Sequence, residues 1–393
     1  MNFIFEISCG RIIGFWASEA WHDCCIYSTC NDNGNQEVET GSTIFVHRYQ
    51  LRGDCIKMLL GKRMILAVVS LLVLSFAIAG CGGQQAAQKA EEKIVIKIAY
   101  GNNVGEPNDK AVREWGRLMK EKSKGRVDFQ YFPSSQLGSQ KDVTEQLTIG
   151  ANVITISDGG FLMDYVPEFG VTYLPYLYDN KEQLFKLVDS DLFKDLSKKL
   201  EAKGLYVVHS KWIYGDRHII ASKPVTKPED LKGLKIRVPN IRLSTEMMNV
   251  MGGTATPMPL AEAYPAIMQG VINGAENPIP VHFGGKMHEG AKFLSLTRHQ
   301  VNLSTWIAGK KFIDKLPPDI VKLLKETGEE AGLFLIKENE KADKEAIEKM
   351  KAAGVTVVEN VDRAAFKAAT KDMYKKFFSD DVYNKVVVII NQK

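Results

Sequence analysis

The sequence predicts an α/β protein with a doubly wound sheet. From residue 94 to residue 157 the apolar spacing switches between strand and helix periods, giving strand, helix, strand, helix, strand. At 393 residues, with 45% hydrophobic and 25% charged side chains, the chain has the length and composition of two ordinary globular domains. Residues 234–238 form a short strand stopped by Pro239, with an apolar-faced helix next at about 242–251.

What precedes the first strand is of another kind. Residues 64–79 (MILAVVSLLVLSFAIA) carry no charge and follow Lys62 and Arg63. As a helix they would span about 24 Å, short of a bilayer core of about 30 Å. Residues 58–80 therefore read as a secretory signal and not a stop-transfer span. The run ends Ile78-Ala79-Gly80-Cys81, which resembles a bacterial lipobox. That implies a lipidated Cys81 as the first mature residue, with residues 81–93 as its polar tether. An ordinary signal peptide with an incidental cysteine is the other reading. Residues 1–57 stand before the signal and hold Cys9, Cys24, Cys25, Cys30 and Cys55. They are expected to be a disordered upstream extension from a mis-assigned start, with Met58 the expected start. A disulfide or metal module is the alternative, but the spacings match no zinc pattern. Beyond Cys81 there is no cysteine, so the mature domain is neither disulfide-stapled nor a thiol enzyme.

The elements then follow in order. Ile94–Ala99 alternates apolar with polar and reads as a strand. The loop 101–107 (GNNVGEP) carries Asn103, a candidate ligand contact. Asn108 is the expected N-cap of a helix whose apolar face is Ala111, Val112, Trp115, Leu118 and Met119, ended by Gly125. Val127–Phe132 is a second strand, 141–149 a helix, and 153–157 a third strand. The junction Ser157-Asp158-Gly159-Gly160-Phe161 follows. Its glycines let a backbone approach a ligand closely, so Asp158 and Phe161 are candidates, unless the junction is a plain tight turn. Residues 205–220 read as two strands crossing between domains. Within them Arg217 is a surface arginine or a cation aimed at a ligand, and Trp212 a cleft wall or core. Residues 293–308, with Trp306, return to the first domain. Pro318 opens a helix reaching about residue 353, roughly 50 Å long, which Gly328 and Gly332 are expected to bend. A strand at 355–358 and a helix near 364–378 complete the chain.

Arg237 sits at the carboxyl end of the strand 234–238, and ligands in open sheets collect outside the carboxyl ends of strands. A guanidinium there offers a planar fork to a carboxylate. Pro278 biases Asn277 to an extended backbone, which leaves its amide free to point into a cleft.

R-V-P at 237–239, T-P-M-x-x-x-E-x-Y at 256–264, G-x-E-N-P at 274–278 and W-x-x-G-x-R at 212–217 together resemble the DctP-type solute receptors of TRAP (tripartite ATP-independent periplasmic) transporters. The similarity runs in order from about residue 94 to the C-terminus. It implies a two-lobed periplasmic-binding-protein fold, with hinge strands within 207–219 and 294–307 and a long helix spanning both lobes. The first lobe would hold 94–210 plus returning segments from about 300 to 393, and the second 211–300. It also implies that Arg237 pairs with the ligand carboxylate, that Asn277 is a contact, and that Arg217 is a second cation. Trp212, Asn103, Asp158 and Phe161 complete the expected set.

The sequence holds no H-E-x-x-H, G-x-S-x-G or P-loop, and its seven histidines form no ligand spacing. Some TRAP receptors hold a metal where this chain has Glu276-Asn277, so no metal and no cofactor is expected. A net charge of +4, spread along the chain, suggests no nucleic-acid partner. The expected function is capture of a small organic acid anion, a dicarboxylate or sugar acid, for delivery to ion-gradient-driven TRAP membrane subunits. A same-fold sensor feeding a membrane signalling protein is the second reading, and an enzyme is not expected. The protein is expected to be a monomer, lipid-anchored on the outer face of the cytoplasmic membrane or in the periplasm.

Overall fold

A computed structural model describes residues 27–30, 36–39 and 93–392. Tyr27–Cys30 and Gln36–Glu39 pair as an antiparallel ribbon, inside the stretch expected to be disordered. The remainder of 1–57, the signal, Cys81 and the tether as far as residue 92 lie outside the described residues.

From residue 93 the strands are β1 (Ile94–Ala99), β2 (Val127–Phe132), β3 (Val153–Asp158), β4 (Leu205–Ala221), β5 (Lys235–Val238), β6 (Thr254–Pro257), β7 (Gly274–Pro278), β8 (Phe293–Gly309) and β9 (Thr356–Val358). They form one sheet in the order β2-β1-β3-β8-β4-β7-β5-β6, with β9 beside β8. β1 pairs in parallel with β2 and β3, and β5 in parallel with β6 and β7. These are the sheets of two lobes. β4 and β8, each 17 residues long, run antiparallel to each other through both. β8 pairs with β3 over Ser304–Ala308, and β4 with β7 over Arg217–Ala221. β4 is thus one continuous strand and not the expected two.

Local chemistry sets the flanking helices. Pro107 opens the helix Pro107–Lys122 from its first turn, where a missing N–H costs nothing. Glu106, and not Asn108, holds the N-cap position. Asn108 is buried one step inside and donates to Asn102 Oδ1 at 3.1 Å. Ser139 and Asp142 form a reciprocal capping box on Gln140–Ile149, and Gly150 ends that helix with a left-handed φ of 104°.

The helix Pro318–Ala352 spans both lobes. Its Ile320, Leu324, Ala331 and Leu335 pack into a first-lobe core with Ile96, Ile98, Trp115, Trp212 and Trp306. Its Ala346 and Met350 join Ile220, Ile267 and Ile272 of the second lobe. Trp115 Nε1 donates to Thr327 Oγ1 at 3.0 Å, and Trp212 Nε1 to the Gly328 carbonyl at 2.8 Å. The helix is unbroken at its glycines. A Cβ on Gly332 would stand 2.7 Å from the Lys211 carbonyl oxygen, so that glycine serves close approach to β4.

The C-terminal segment packs differently from expectation. β9 lies against Phe293–Ser295 of β8. Phe366, Met373, Phe378, Val386 and Ile390 share a core with Leu231, Leu243, Met247 and Met248 of the second lobe. The reason is apolar periodicity in Arg363–Thr370 and Asp380–Ile390, which gives each helix a face that only a neighbouring core can cover. Among the described residues no helix is long and apolar enough to cross a membrane.

Candidate functional site

A cleft lies where β3, β5 and β7 end, at the carboxyl ends of strands from both lobes. Its empty space is about 690 Å³ including the mouth, and its lining brings together Arg237, Asn277, Arg217, Asp158 and Phe161. Five of the seven residues singled out from sequence therefore share one cavity. Tyr214, Asn102, Ser304, Gln140 and Met258 line it with them.

Arg237 stands next to last in β5, at its buried carboxyl end, and is 3% exposed. Its Nε and Nη2 both donate to the Met258 carbonyl, at 3.0 and 2.8 Å. No carboxylate pairs with it among the described residues. Burial lowers its pKa to about 10, partly offset by Glu276, so it stays charged at neutral pH. A buried guanidinium held by one neutral carbonyl lacks a counter-charge, which is the electrostatic demand that an anion in the cleft would meet.

Arg217 is different. Its Nε and Nη2 donate to the two carboxylate oxygens of Glu276 at 2.5 and 2.7 Å, and Nη2 also reaches the Glu276 carbonyl at 3.1 Å. Burial opposes its charge, but Glu276 outweighs burial and holds its pKa above the ordinary value. Burial would likewise raise Glu276. Arg217 and a hydrogen bond with His299 Nε2 at 3.2 Å overcome that and take it to about 2. The pair is ionised and neutral overall, so Arg217 lines the cleft with its charge already matched.

Asn277 is 3% exposed, and its Nδ2 has no hydrogen-bond partner among the described residues. A buried donor without a partner is costly, and in a cleft wall it is a place for a ligand acceptor. Asn102 Nδ2 donates to Glu106 Oε2 at 2.7 Å and to the Tyr214 hydroxyl at 2.9 Å.

Two candidates fall elsewhere. Trp212 is fully buried and meets Trp306 edge to face at 5.1 Å, with its indole N–H spent on Gly328. It belongs to the core and does not line the cleft. Asn103 also stands off the lining. Its Oδ1 accepts from Ser134 Oγ at 2.9 Å and its Nδ2 reaches the Gly284 carbonyl at 3.4 Å, while its neighbour Asn102 faces the cleft. The glycines after Asp158 answer to packing as well. A Cβ on Gly159 would strike Thr172, and one on Gly160 would stand 2.6 Å from Ile241.

Glu276, Tyr214 and Asn102 were not singled out as site residues. Glu276 lies inside the quoted G-x-E-N-P motif, but nothing in the sequence joins it to Arg217, 59 positions away on another strand. Tyr214 gave no signal: Gly215 pairs with Asn302 and Ile213 with Leu303, which leaves Tyr214 as the extra residue of a bulge. Among the described residues no group of three or more His, Cys, Asp or Glu could hold a metal ion.

Residues 98–381 match the family described as bacterial extracellular solute-binding protein, family 7. Two solved structures are similar over 76% of this chain and 100% of their own, each with a TM-score of 0.74. One is a TRAP periplasmic solute-binding protein from Ochrobacterium anthropi with bound L-fuconate, 46% identical. The other is its counterpart from Actinobacillus succinogenes 130Z with bound L-galactonate, 45% identical. The C4-dicarboxylate-binding periplasmic protein of Rhodobacter capsulatus is 32% identical over 303 residues, covering 76% of this chain and 87% of that protein.

Proposed function

This chain belongs to bacterial extracellular solute-binding protein family 7, and from that premise we propose that its ligand is a sugar acid of the aldonate class, bound through its carboxylate by Arg237. As a member of the family it is an extracytoplasmic receptor that captures a small organic acid for a TRAP transporter. The observation that carries the finer reading is the buried, unpaired guanidinium of Arg237 beside the unpartnered amide of Asn277. A carboxylate satisfies the first and a carboxylate or hydroxyl oxygen the second. The polar remainder of the lining, with Asp158, Tyr214, Asn102 and Ser304, suits a chain of hydroxyls better than the methylenes of a plain dicarboxylate. The two neighbours at 45–46% identity, which hold L-fuconate and L-galactonate, support the same class.

Capture then follows from the fold. β4 and β8 pass through both lobes and serve as the hinge, and closing on the ligand removes its carboxylate from water only where Arg237 pairs it. Thermal-shift measurement over a panel of organic acids tests the class. Aldonates should raise the melting temperature and C4 dicarboxylates should not, since a ligand stabilises by its occupancy of the folded state. A shift with dicarboxylates alone would replace the aldonate reading. The second part of the proposal is a monomer tethered to the membrane by lipid on Cys81, motivated by Ile78-Ala79-Gly80-Cys81 after a short apolar run. Cys81→Ala should release the protein into the soluble fraction or block its processing, and a variant processed and membrane-bound as before would place the anchor elsewhere.

A further inference from the structure

Asp158 is a buried carboxylate in the cleft without an ion pair among the described residues. It ends β3, is 9% exposed, and shares the cavity with Arg237 and Asn277. Its Oδ1 accepts from Ser304 Oγ at 3.2 Å and from Asn302 Nδ2 at 3.5 Å. Its Oδ2 has no hydrogen bond to a described residue. Arg217 favours its ionised form through space but makes no bond to it, because the Arg217 fork is closed on both Glu276 oxygens. The remaining cation of the lining, Lys141, is 52% exposed at its side chain and lies 4.0 Å from Glu145, so solvent screens it. The buried charges left for a ligand are thus one guanidinium and one carboxylate. Burial pushes the Asp158 carboxyl up to about 6, which still leaves it mostly ionised above neutral pH.

We infer that Asp158 selects polyhydroxy monoanions and rejects dianions of the same length. Its free oxygen accepts hydrogen bonds from ligand hydroxyls, while its charge repels a second carboxylate or a phosphate for which the buried wall holds no cation. The inference rests on the reading that Arg237 takes the carboxylate of a sugar acid. It adds a specificity residue on the opposite lobe and predicts which acids fail.

Calorimetric titration with L-galactonate and with galactarate, its six-carbon diacid counterpart, tests this at pH 7.5. The wild-type protein should prefer L-galactonate by about 100-fold or more, since like charges brought together in a desolvated site cost several powers of ten in affinity. Asp158→Asn should weaken L-galactonate about tenfold, through loss of a charged acceptor, and strengthen galactarate, so that the preference collapses. Asp158→Glu, which keeps the charge, should keep the rejection of galactarate. Similar wild-type affinities for both acids would overturn the charge selection alone. An unchanged preference in Asp158→Asn would reduce Asp158 to a tie between β3 and β8 through Ser304 and would overturn the inference. Binding of neither acid by the wild-type protein would overturn the sugar-acid reading beneath it.

Discussion

Arg217 and Glu276, 59 positions apart on adjacent strands, form a two-bond ion pair with side chains 3% and 0% exposed. Arg237 lines the same cleft and has no such partner. The division of labour between the two arginines follows from that difference: one charge is spent inside the fold and the other is open to an anion.

Breaking the pair should therefore cost stability first. Arg217→Met or Glu276→Leu alone should destabilise by about 3–5 kcal/mol, because each leaves a buried charge uncompensated. The double variant should lose much less than the sum. Urea denaturation measures all three, and additive losses would show that the two side chains are not coupled. Acid dependence has a definite sign. Glu276 has a depressed pKa, so its contribution is present above the unfolded carboxylate value of about 4.3 and is lost as pH falls toward 2.

Arg237→Ala should behave in the opposite way. Ligand binding should weaken by about 3–5 kcal/mol, since the ligand carboxylate would be buried without its partner. Arg237→Lys should recover only part, as a point charge cannot reproduce a fork. The melting temperature of the ligand-free protein should hold or rise, because burial already disfavours this charge. Near-normal affinity with a large loss of stability would make Arg237 a structural residue.

Gly332→Ala sets two magnitudes against each other. Alanine in a helix interior is worth about 1 kcal/mol over glycine. The new Cβ would stand 2.7 Å from the Lys211 carbonyl oxygen and 2.9 Å from Trp212 Cδ1. Overpacking of that kind costs about 1–3 kcal/mol, and a backbone atom on a paired strand cannot move aside cheaply. A net loss of stability is expected, with L-galactonate affinity unchanged at temperatures where the variant is folded. A stabilised variant would show that the helix can stand off β4.

Much of this was readable beforehand because it rests on local patterns. The alternation in Ile94–Ala99 and Val127–Phe132, the Pro-stopped strand carrying Arg237, and the long helix after Pro318 are properties of short windows. The side-chain directions along β4 were not readable. Register shifts against β8 between Asn302 and Leu303, and between Ser304 and Trp306, break the period of two. Trp212 consequently faces the tryptophan cluster while Tyr214, two residues on, lines the cleft. The Arg217–Glu276 pair needs two distant strands to be neighbours, and no spacing in the chain states that. Asn103 missed by a single position, since only the turn conformation decides which of two adjacent asparagines faces inward.

The last expectation concerns Glu106. It occupies the N-cap position of the helix Pro107–Lys122 and is 6% exposed. Gly284 of the second lobe covers it so closely that a Cβ there would stand 2.5 Å from its Oε1. Burial raises its pKa to about 7, and the hydrogen bond from Asn102 Nδ2 offsets this only in part, while Asp109 adds to it. Here the sign is the reverse of Glu276. Between the unfolded value of about 4.3 and about 7 the native state holds a proton that the unfolded chain has lost, so stability falls as pH rises through that window. Integrated over it, the loss is on the order of 3–4 kcal/mol. Asp158, raised to about 6 by burial and by Glu276 against the opposing charge of Arg217 and the hydrogen bonds from Ser304 and Asn302, contributes with the same sign over its lower half. Glu106→Gln keeps an acceptor for Asn102 and cannot titrate. Urea midpoints of the ligand-free protein between pH 4.5 and 7.5 should decline less steeply in this variant, and less again when Asp158→Asn is added. Equal slopes in wild type and Glu106→Gln would mean that Gly284 leaves Glu106 open to water in solution.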